Sequence, residues 1–163
     1  MKVYTDGSSS ANGKKNCLSG CGVYFPETQQ KLSVNSQEAS RICDVELKGH
    51  SNNVGELLAI LLAMNTVKNK DCELVIHSDS MYCINSLTVW YKSWKKNDWI
   101  TAGGTPVKNK EIIQKILEEK EKFQFVFFKH VKAHRVEPLV TSKEWEDWHG
   151  NDTADLLATN SLI

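Results

Sequence analysis

The order of apolar and polar positions along the chain predicts a mixed α/β architecture. Short runs rich in β-branched and aromatic residues alternate with longer segments whose apolar residues recur at helical spacing. The predicted strands are Lys2–Thr5, Gly20–Phe25, the stretch around Ile42–Leu47, Leu74–Ser78 and Phe123–Val131. The predicted helices are Glu56–Val67, Ser80–Trp90, Glu111–Lys122 and Asn151–Thr159.

Three strands in succession predict an antiparallel ribbon, and the later alternation of helices and strands predicts βαβ units. Together they indicate a mixed five-stranded sheet flanked by helices. Residues 1–163 contain no internal repeat, low-complexity tract or linker, so we expect one domain with one core. The least regular segments are predicted at Pro26–Ser40 and Val136–Trp148.

Four carboxylates lie at predicted strand ends or helix starts: Asp6, Glu56, Asp79 and Asp155. The first and fourth strands are expected to lie side by side, and ligands of α/β sheets collect at the carboxyl ends of parallel strands. A set of carboxylate oxygens suits Mg²⁺. Two such ions about 4 Å apart can activate water and stabilise the leaving oxygen of a phosphodiester.

Each of these carboxylates also has a structural interpretation. Asp6 could form a turn before Gly7, and Asp79 could cap the following helix. Asn53 and Glu56 have the spacing of a capping box, and Asp155 could be a surface charge on the last helix. The metal interpretation depends on all four occurring together.

Histidines near the end of the chain are candidates for proton transfer, because the pKa of imidazole is close to neutrality. His134 follows the last predicted strand and is the first choice. His149 is a rival because it lies closer to Asp155 in the sequence, whereas His130 is expected to be structural.

The charge of the chain is balanced overall but not locally. Twenty basic and 20 acidic residues give a formal net charge of zero, so global charge predicts no polyanionic partner. The segment Trp90–Trp99 (WYKSWKKNDW), which we call the handle, combines three lysines with three tryptophans. Lysines neutralise phosphates and aromatic rings pack on sugars or bases, so the handle indicates nucleic-acid binding without sequence preference. Tryptophans at helical spacing are also common in cores.

Five cysteines without a zinc-binding pair indicate a reducing compartment, and no apolar run reaches membrane-spanning length. We therefore expect a soluble, intracellular monomer with no membrane partner. Cytoplasm and nucleus are not distinguished.

Four segments, in this order, resemble type 1 ribonuclease H, the family that cuts the RNA strand of RNA–DNA hybrids. They are YTDGSSSANG, SNNVGELLA, HSDSMYCINSLTVWYKSWKKNDW and GNDTADLLA, and the resemblance runs from Lys2 to about Ala158. It implies the ribonuclease H-like fold with a basic helical handle. It also implies a metal-dependent endonuclease that leaves 5′-phosphate and 3′-hydroxyl ends.

The resemblance assigns roles to individual residues. The carboxylates Asp6, Glu56, Asp79 and Asp155 would bind two Mg²⁺ ions, or Mn²⁺ in their place, and His134 would assist turnover. Residues matched to RNA 2′-hydroxyl and base-edge contacts are Asn12, Asn52 and Asn53. Residues matched to the DNA strand are Ser51 and Asn109 in a phosphate pocket, and Tyr82, Trp90 and Trp94 in a backbone channel.

The chain departs from the family pattern in three places. Gly49 stands where some members have an arginine of the phosphate pocket, so the DNA grip would be weaker or would come from Lys48. The stretch from His134 to Asn151 is longer than is common, and its Trp145 and Trp148 match no family role. The segment between Pro26 and Leu47 is also long.

Three rival functions fit the same fold. One is a nucleic-acid-binding domain without activity, although a pure binder gains nothing from clustered negative charge beside phosphate. Another is a nuclease or recombinase that acts on DNA. A third is a domain cut from a larger reverse transcriptase.

Overall fold

A computed structural model of the protein describes residues 1–9, 18–49 and 51–163. The strands are β1 (Lys2–Ser9), β2 (Ser19–Phe25), β3 (Gln30–Asn35), β4 (Glu73–Ser78) and β5 (Phe125–His130). The helices are α1 (Ser36–Ile42), α2 (Asn52–Thr66), α3 (Met81–Asn85), α4 (Tyr91–Lys96), α5 (Lys110–Glu121) and α6 (Glu144–Asn160). A π-helical turn, Ser86–Trp90, joins α3 to α4.

The strands form one mixed sheet in the order β3-β2-β1-β4-β5. β1 pairs with β2, and β2 with β3, in antiparallel fashion, whereas β4 runs parallel to both β1 and β5. The predicted fold class is confirmed, including the adjacent first and fourth strands. This order places the start of the chain at the centre of the sheet.

Helices cover both faces of the central strands. Cys21 and Val23 of β2 belong to the main core together with α2, whose residues Leu57–Met64 are almost completely buried. Tyr24, on the alternate face of β2, packs with Tyr4 and with Ala154 of α6. Because alternate residues of a strand point to opposite faces, α2 and α6 enclose β1 and β2 between them.

The third predicted strand is wrong. Ile42 ends α1, and the residues after it form a loop, because Asp44 adopts a left-handed backbone (φ 52°) that interrupts an extended run. The strand that pairs with β2 is instead Gln30–Asn35, within the segment expected to be irregular. Asn35 then caps α1 by accepting a hydrogen bond from the Glu38 amide at 2.9 Å.

Two helices begin earlier than the apolar pattern indicated. α2 begins at Asn52 rather than Glu56, and α6 begins at Glu144 rather than Asn151. The first turn of α6 carries acidic residues, which favour the positive end of a helix dipole. The irregular stretch predicted at Val136–Trp148 is therefore irregular only in its first half. None of the helices in the described ranges combines the length and the apolar character that a membrane-spanning segment needs.

Candidate active site

The parallel pairing of β1 with β4 places two carboxylates beside each other. The last paired residues are Thr5 and Ser78, and Asp6 and Asp79 follow them directly. We predicted that β1 ends at Asp6, but it continues to Ser9, paired with β2 alone, and Asp6 lies opposite Gly22. Asp6 is 3% exposed, so its carboxylate sits inside the fold rather than in a surface turn.

Glu56 reaches the same point from α2. A side chain at Gly7 would collide with the Glu56 backbone, so glycine there allows α2 to approach β1 closely. Ser51, rather than Asn53, caps α2 by accepting a hydrogen bond from the Val54 amide. The capping-box interpretation of Glu56 is therefore wrong, and its carboxylate lies beside Asp6 and Gly7 instead.

One oxygen from each of Asp6, Glu56 and Asp79 lies within 4.8 Å of the other two. Carboxylate oxygens around a hard divalent cation lie at about this spacing or slightly less. The Oε2 atom of Glu56 is buried and has no hydrogen-bond partner among the described residues. Oxygen donors alone, one of them buried and unpaired, fit a divalent cation such as Mg²⁺ or Mn²⁺.

Crowding of these groups changes their acidity. Burial raises the pKa of Asp6, and repulsion from Glu56 and Asp79 raises it further. Burial also raises the pKa of Glu56 and of Asp79. Without a cation, the cluster therefore retains protons that isolated carboxylic acids would lose, and a bound cation would reverse this.

Asp155 comes from α6 on the opposite face of the sheet. α6 lies close to β2 because Gly22 has no side chain, and a methyl group there would collide with the Ala154 carbonyl. Asp155 lies close enough to Asp6 to raise the pKa of Asp6 further. Its oxygens are not among the three that converge most closely.

Asn151 is a site residue that the sequence reasoning missed. It is 5% exposed, and it lies close enough to Asp79 to lower the pKa of that carboxyl group, which favours the ionised carboxylate. It lies four residues before Asp155 and therefore on the same face of α6. That spacing, within GNDTAD, is the signal that could have identified it.

The cap interpretation of Asp79 is also wrong, because Ser80 caps α3 by accepting a hydrogen bond from the Cys83 amide at 3.2 Å. The carboxylate of Asp79 thus belongs to the cluster and not to the helix end.

Of the three candidate histidines, His134 is the one placed beside the carboxylates. It lines a cavity with Asn151 and Asp155, and its charge helps to lower the pKa of Asp79. His149 instead stacks on Trp145, with ring centroids 4.6 Å apart. His130 is exposed and lies in a separate pocket.

A groove of about 780 Å³ runs between the start of α2 and the handle. The Asn109 side chain donates a hydrogen bond to the Tyr82 hydroxyl at 3.0 Å across it. Four residues matched to the hybrid line this groove: Ser51, Asn53, Tyr82 and Asn109. Asn52 is exposed in the first turn of α2, and Asn12 lies outside the described residues.

The handle presents a row of aromatic rings. Trp90 contacts Tyr82 and Trp94 with ring centroids 6.3 and 6.0 Å apart, and Trp94 contacts the buried Trp99 at 6.2 Å. Trp90 is 40% exposed, so it is not a core residue. Lys48, the cation next to Gly49, forms an ion pair with Glu111 at 2.8 Å on the rim of the groove.

Comparison with known proteins agrees with this geometry. The RNase H family model matches residues 1–163. The chain is 38% identical to ribonuclease H of Schizosaccharomyces pombe over 161 residues, 96% of this chain and 50% of that protein. Identity to ribonuclease H of Clostridium botulinum is 34% over 133 residues, 81% of this chain and 82% of that protein. Ribonuclease H1 of Rattus norvegicus is 32% identical over 96% of this chain and 48% of its own length.

The chain thus spans about half the length of the Schizosaccharomyces and rat relatives it matches. Among solved structures, the RNase H domain of prototype foamy virus superposes with a TM-score of 0.66 at 26% identity, covering 98% of this chain and 92% of that domain. The foamy viral protease–reverse transcriptase, solved in complex with an RNA/DNA hybrid, superposes with a TM-score of 0.72 at 22% identity. This superposition covers 98% of this chain and 19% of the foamy viral chain. The resemblance to type 1 ribonuclease H is confirmed, and the chain belongs to the ribonuclease H family.

Proposed function

We propose that the protein hydrolyses the RNA strand of RNA–DNA hybrids endonucleolytically, leaving 5′-phosphate and 3′-hydroxyl ends. The observation that carries the proposal is the convergence of Asp6, Glu56 and Asp79 within 4.8 Å. Repulsion makes such a buried group unfavourable unless cations bind there. Family membership and the hybrid-bound foamy viral neighbour support the choice of substrate.

The proposed cofactor is a pair of Mg²⁺ ions, with Mn²⁺ as a substitute, held by Asp6, Glu56, Asp79 and Asp155. When bound, the ions supply Lewis acidity to the scissile phosphate and to water. The protein's own contribution is positional. Asn151 would favour the ionised Asp79 carboxylate, whose pKa it lowers, and the exposed imidazole of His134, which lines the same cavity as Asn151, would carry a proton between the site and solvent.

The rest of the substrate would lie along the groove and the handle. Ser51, Asn109 and Tyr82 would contact the DNA strand there, together with Trp90 and Trp94. The asparagines at the start of α2, with Asn12, would contact RNA 2′-hydroxyls. All four carboxylates come from one chain, so the proposed enzyme is a monomer. The described cysteines are free thiols, which agrees with an intracellular setting.

The test is a comparison of substrates with labelled strands. We expect cleavage of the RNA strand of a hybrid with Mg²⁺ or Mn²⁺, and none with chelator, with duplex DNA or with duplex RNA. An intact hybrid, with the protein folded and metal present, would refute the proposal. Binding without cleavage would indicate the non-catalytic rival, and cleavage of duplex DNA would indicate the DNA nuclease.

A further inference from the structure

The segment from Lys132 to Pro138, which we call the histidine loop, lies in the connection between β5 and α6 and carries His134. Before it, the Val131 amide is bonded to the Ser78 carbonyl at 3.0 Å, which continues the sheet. Within the histidine loop, one hydrogen bond between described residues fixes the backbone. In it, the indole N–H of Trp148 donates to the Arg135 carbonyl at 3.0 Å.

This hydrogen bond is next to His134 in the chain. His134 has a left-handed backbone (φ 54°), a conformation that non-glycine residues adopt only when their surroundings hold them there. The exposed apolar residues of this connection, Val136 (91% exposed) and Leu139 (78% exposed), provide little packing to do so. Among the described residues, the Trp148 hydrogen bond is therefore the contact that holds the backbone next to His134.

Trp148 also shares a helix face with the site. Trp148, Asn151 and Asp155 are spaced three and four residues apart on α6, so their side chains lie in one row. All three line the same cavity as His134. One row thus anchors the histidine loop, lowers the pKa of Asp79 through Asn151 and supplies the fourth carboxylate.

We propose that Trp148 is a positioning residue that holds His134 over the carboxylate cluster through its hydrogen bond to the Arg135 carbonyl. The inference rests on the proposed function, in which His134 assists turnover. It gives a role to Trp148, which lies in the long stretch between His134 and Asn151. It also makes the histidine loop part of the active site.

The chain offers a matched control. Trp145 is also on α6, and its indole N–H donates to the side chain of Glu137 at 3.2 Å rather than to the loop backbone. Trp145→Phe and Trp148→Phe each remove one N–H donor and keep an aromatic ring. Only Trp148→Phe removes a hydrogen bond to the backbone beside His134.

The experiment measures cleavage of a hybrid under steady-state conditions and combines each variant with His134→Ala. Trp148→Phe is expected to lower kcat about tenfold at nearly unchanged KM, and to add no loss in the His134→Ala background. Trp145→Phe should stay within about twofold of wild type. Equal losses from Trp148→Phe with and without His134, or a change in KM alone, would overturn the proposal.

A second measurement is independent of activity. NMR backbone order parameters of the histidine loop, measured without metal, should fall in Trp148→Phe and not in Trp145→Phe, while the global melting temperature stays close to wild type. Unchanged order parameters in Trp148→Phe would also overturn the proposal. If wild type cleaves no hybrid, the proposed function fails. If wild type is active and Trp148→Phe cleaves the hybrid equally fast, only this inference fails.

Discussion

At the scale of single residues, the fold holds together carboxylates that repel one another. Asp6, Glu56 and Asp79 have raised pKa values chiefly because burial removes water from them, and the charges of Glu56 and Asp79 raise the pKa of Asp6 further. Such a group costs folding free energy in the metal-free protein. The same proximity creates an oxygen-lined position for a cation, so stability and function oppose each other here.

Asp79→Asn tests this arrangement. The amide has the size of the carboxylate but not its charge, so the fold is retained while one metal ligand is weakened. We expect hybrid cleavage to fall by about 10³-fold, which corresponds to several kcal/mol of metal-ion catalysis. Binding to the hybrid, measured by fluorescence anisotropy, should change only a few-fold. Loss of the folded circular dichroism spectrum would instead show that Asp79 has a structural role.

At the scale of elements, the approach of α6 to β2 decides where Asp155 lies. Gly22 permits contact with the backbone at Ala154, one residue before Asp155. Gly22→Ala would push α6 outward, and overpacking of this kind costs about 1–3 kcal/mol. We expect a lower melting temperature and a larger loss of cleavage than the loss of stability alone would cause. Gly103→Ala is the control, because its new methyl group would meet only the Thr101 hydroxyl at 3.9 Å.

The handle is a second element whose contribution can be isolated. Lys95 and Lys96 are exposed in the last turn of α4, within the handle. Lys95→Ala with Lys96→Ala should weaken hybrid binding and reduce the slope of log affinity against log salt by about two, because two phosphates would no longer be neutralised. Lys68→Ala is the control. It removes an exposed lysine just after the C-terminal end of α2, outside the handle, and should leave the slope unchanged. An unchanged slope in the double variant would show that these lysines of the handle do not contact the hybrid.

Elements differ in how far the sequence predicts them. The strands β1, β4 and β5 follow from dense apolar runs, and their adjacency brings Asp6 and Asp79 together as expected. β3 has only alternating, half-exposed residues, so its signal was weaker than that of the apolar residues around Val45. The contacts of Asn151 and Trp148 depend on how α6 is rotated against the sheet. Local pattern does not specify that rotation.

At the scale of the whole molecule, β1 and β2 lie between two helices that approach from opposite faces. α2 brings Glu56 and α6 brings Asp155 to the end of the β1–β4 pair. Ligands from distant parts of the chain meet only when the entire sheet has formed. Binding of a cation should therefore stabilise the fold globally rather than one loop.

The pH dependence of stability tests this coupling. Burial lowers the pKa of His77, and hydrogen bonds from Tyr4 and Lys129 outweigh burial to lower that of Asp147. Both groups bind more protons when unfolded. His77 therefore lowers stability as pH falls below about 6.5, and the stabilisation that Asp147 contributes is lost only as pH falls below about 4. The carboxylate cluster has the opposite sign. Its raised pKa values keep protons in the folded state above pH 7, where the unfolded chain has released them.

Between pH 7 and 8.5, the free energy of unfolding of the metal-free protein should therefore fall as pH rises. Saturating Mg²⁺ should reduce this slope, because the bound ion favours ionised carboxylates at every pH in the range. The remaining slope comes from Cys21, Cys43 and Cys83, because burial raises the pKa of their thiols. Urea denaturation at several pH values, with and without Mg²⁺, measures both slopes. Glu56→Gln should reduce the slope of the metal-free protein. It removes one of the carboxyl groups that keep a proton in the folded state and lose it on unfolding. Equal slopes in wild type with and without the ion would show that the cation does not bind at these carboxylates.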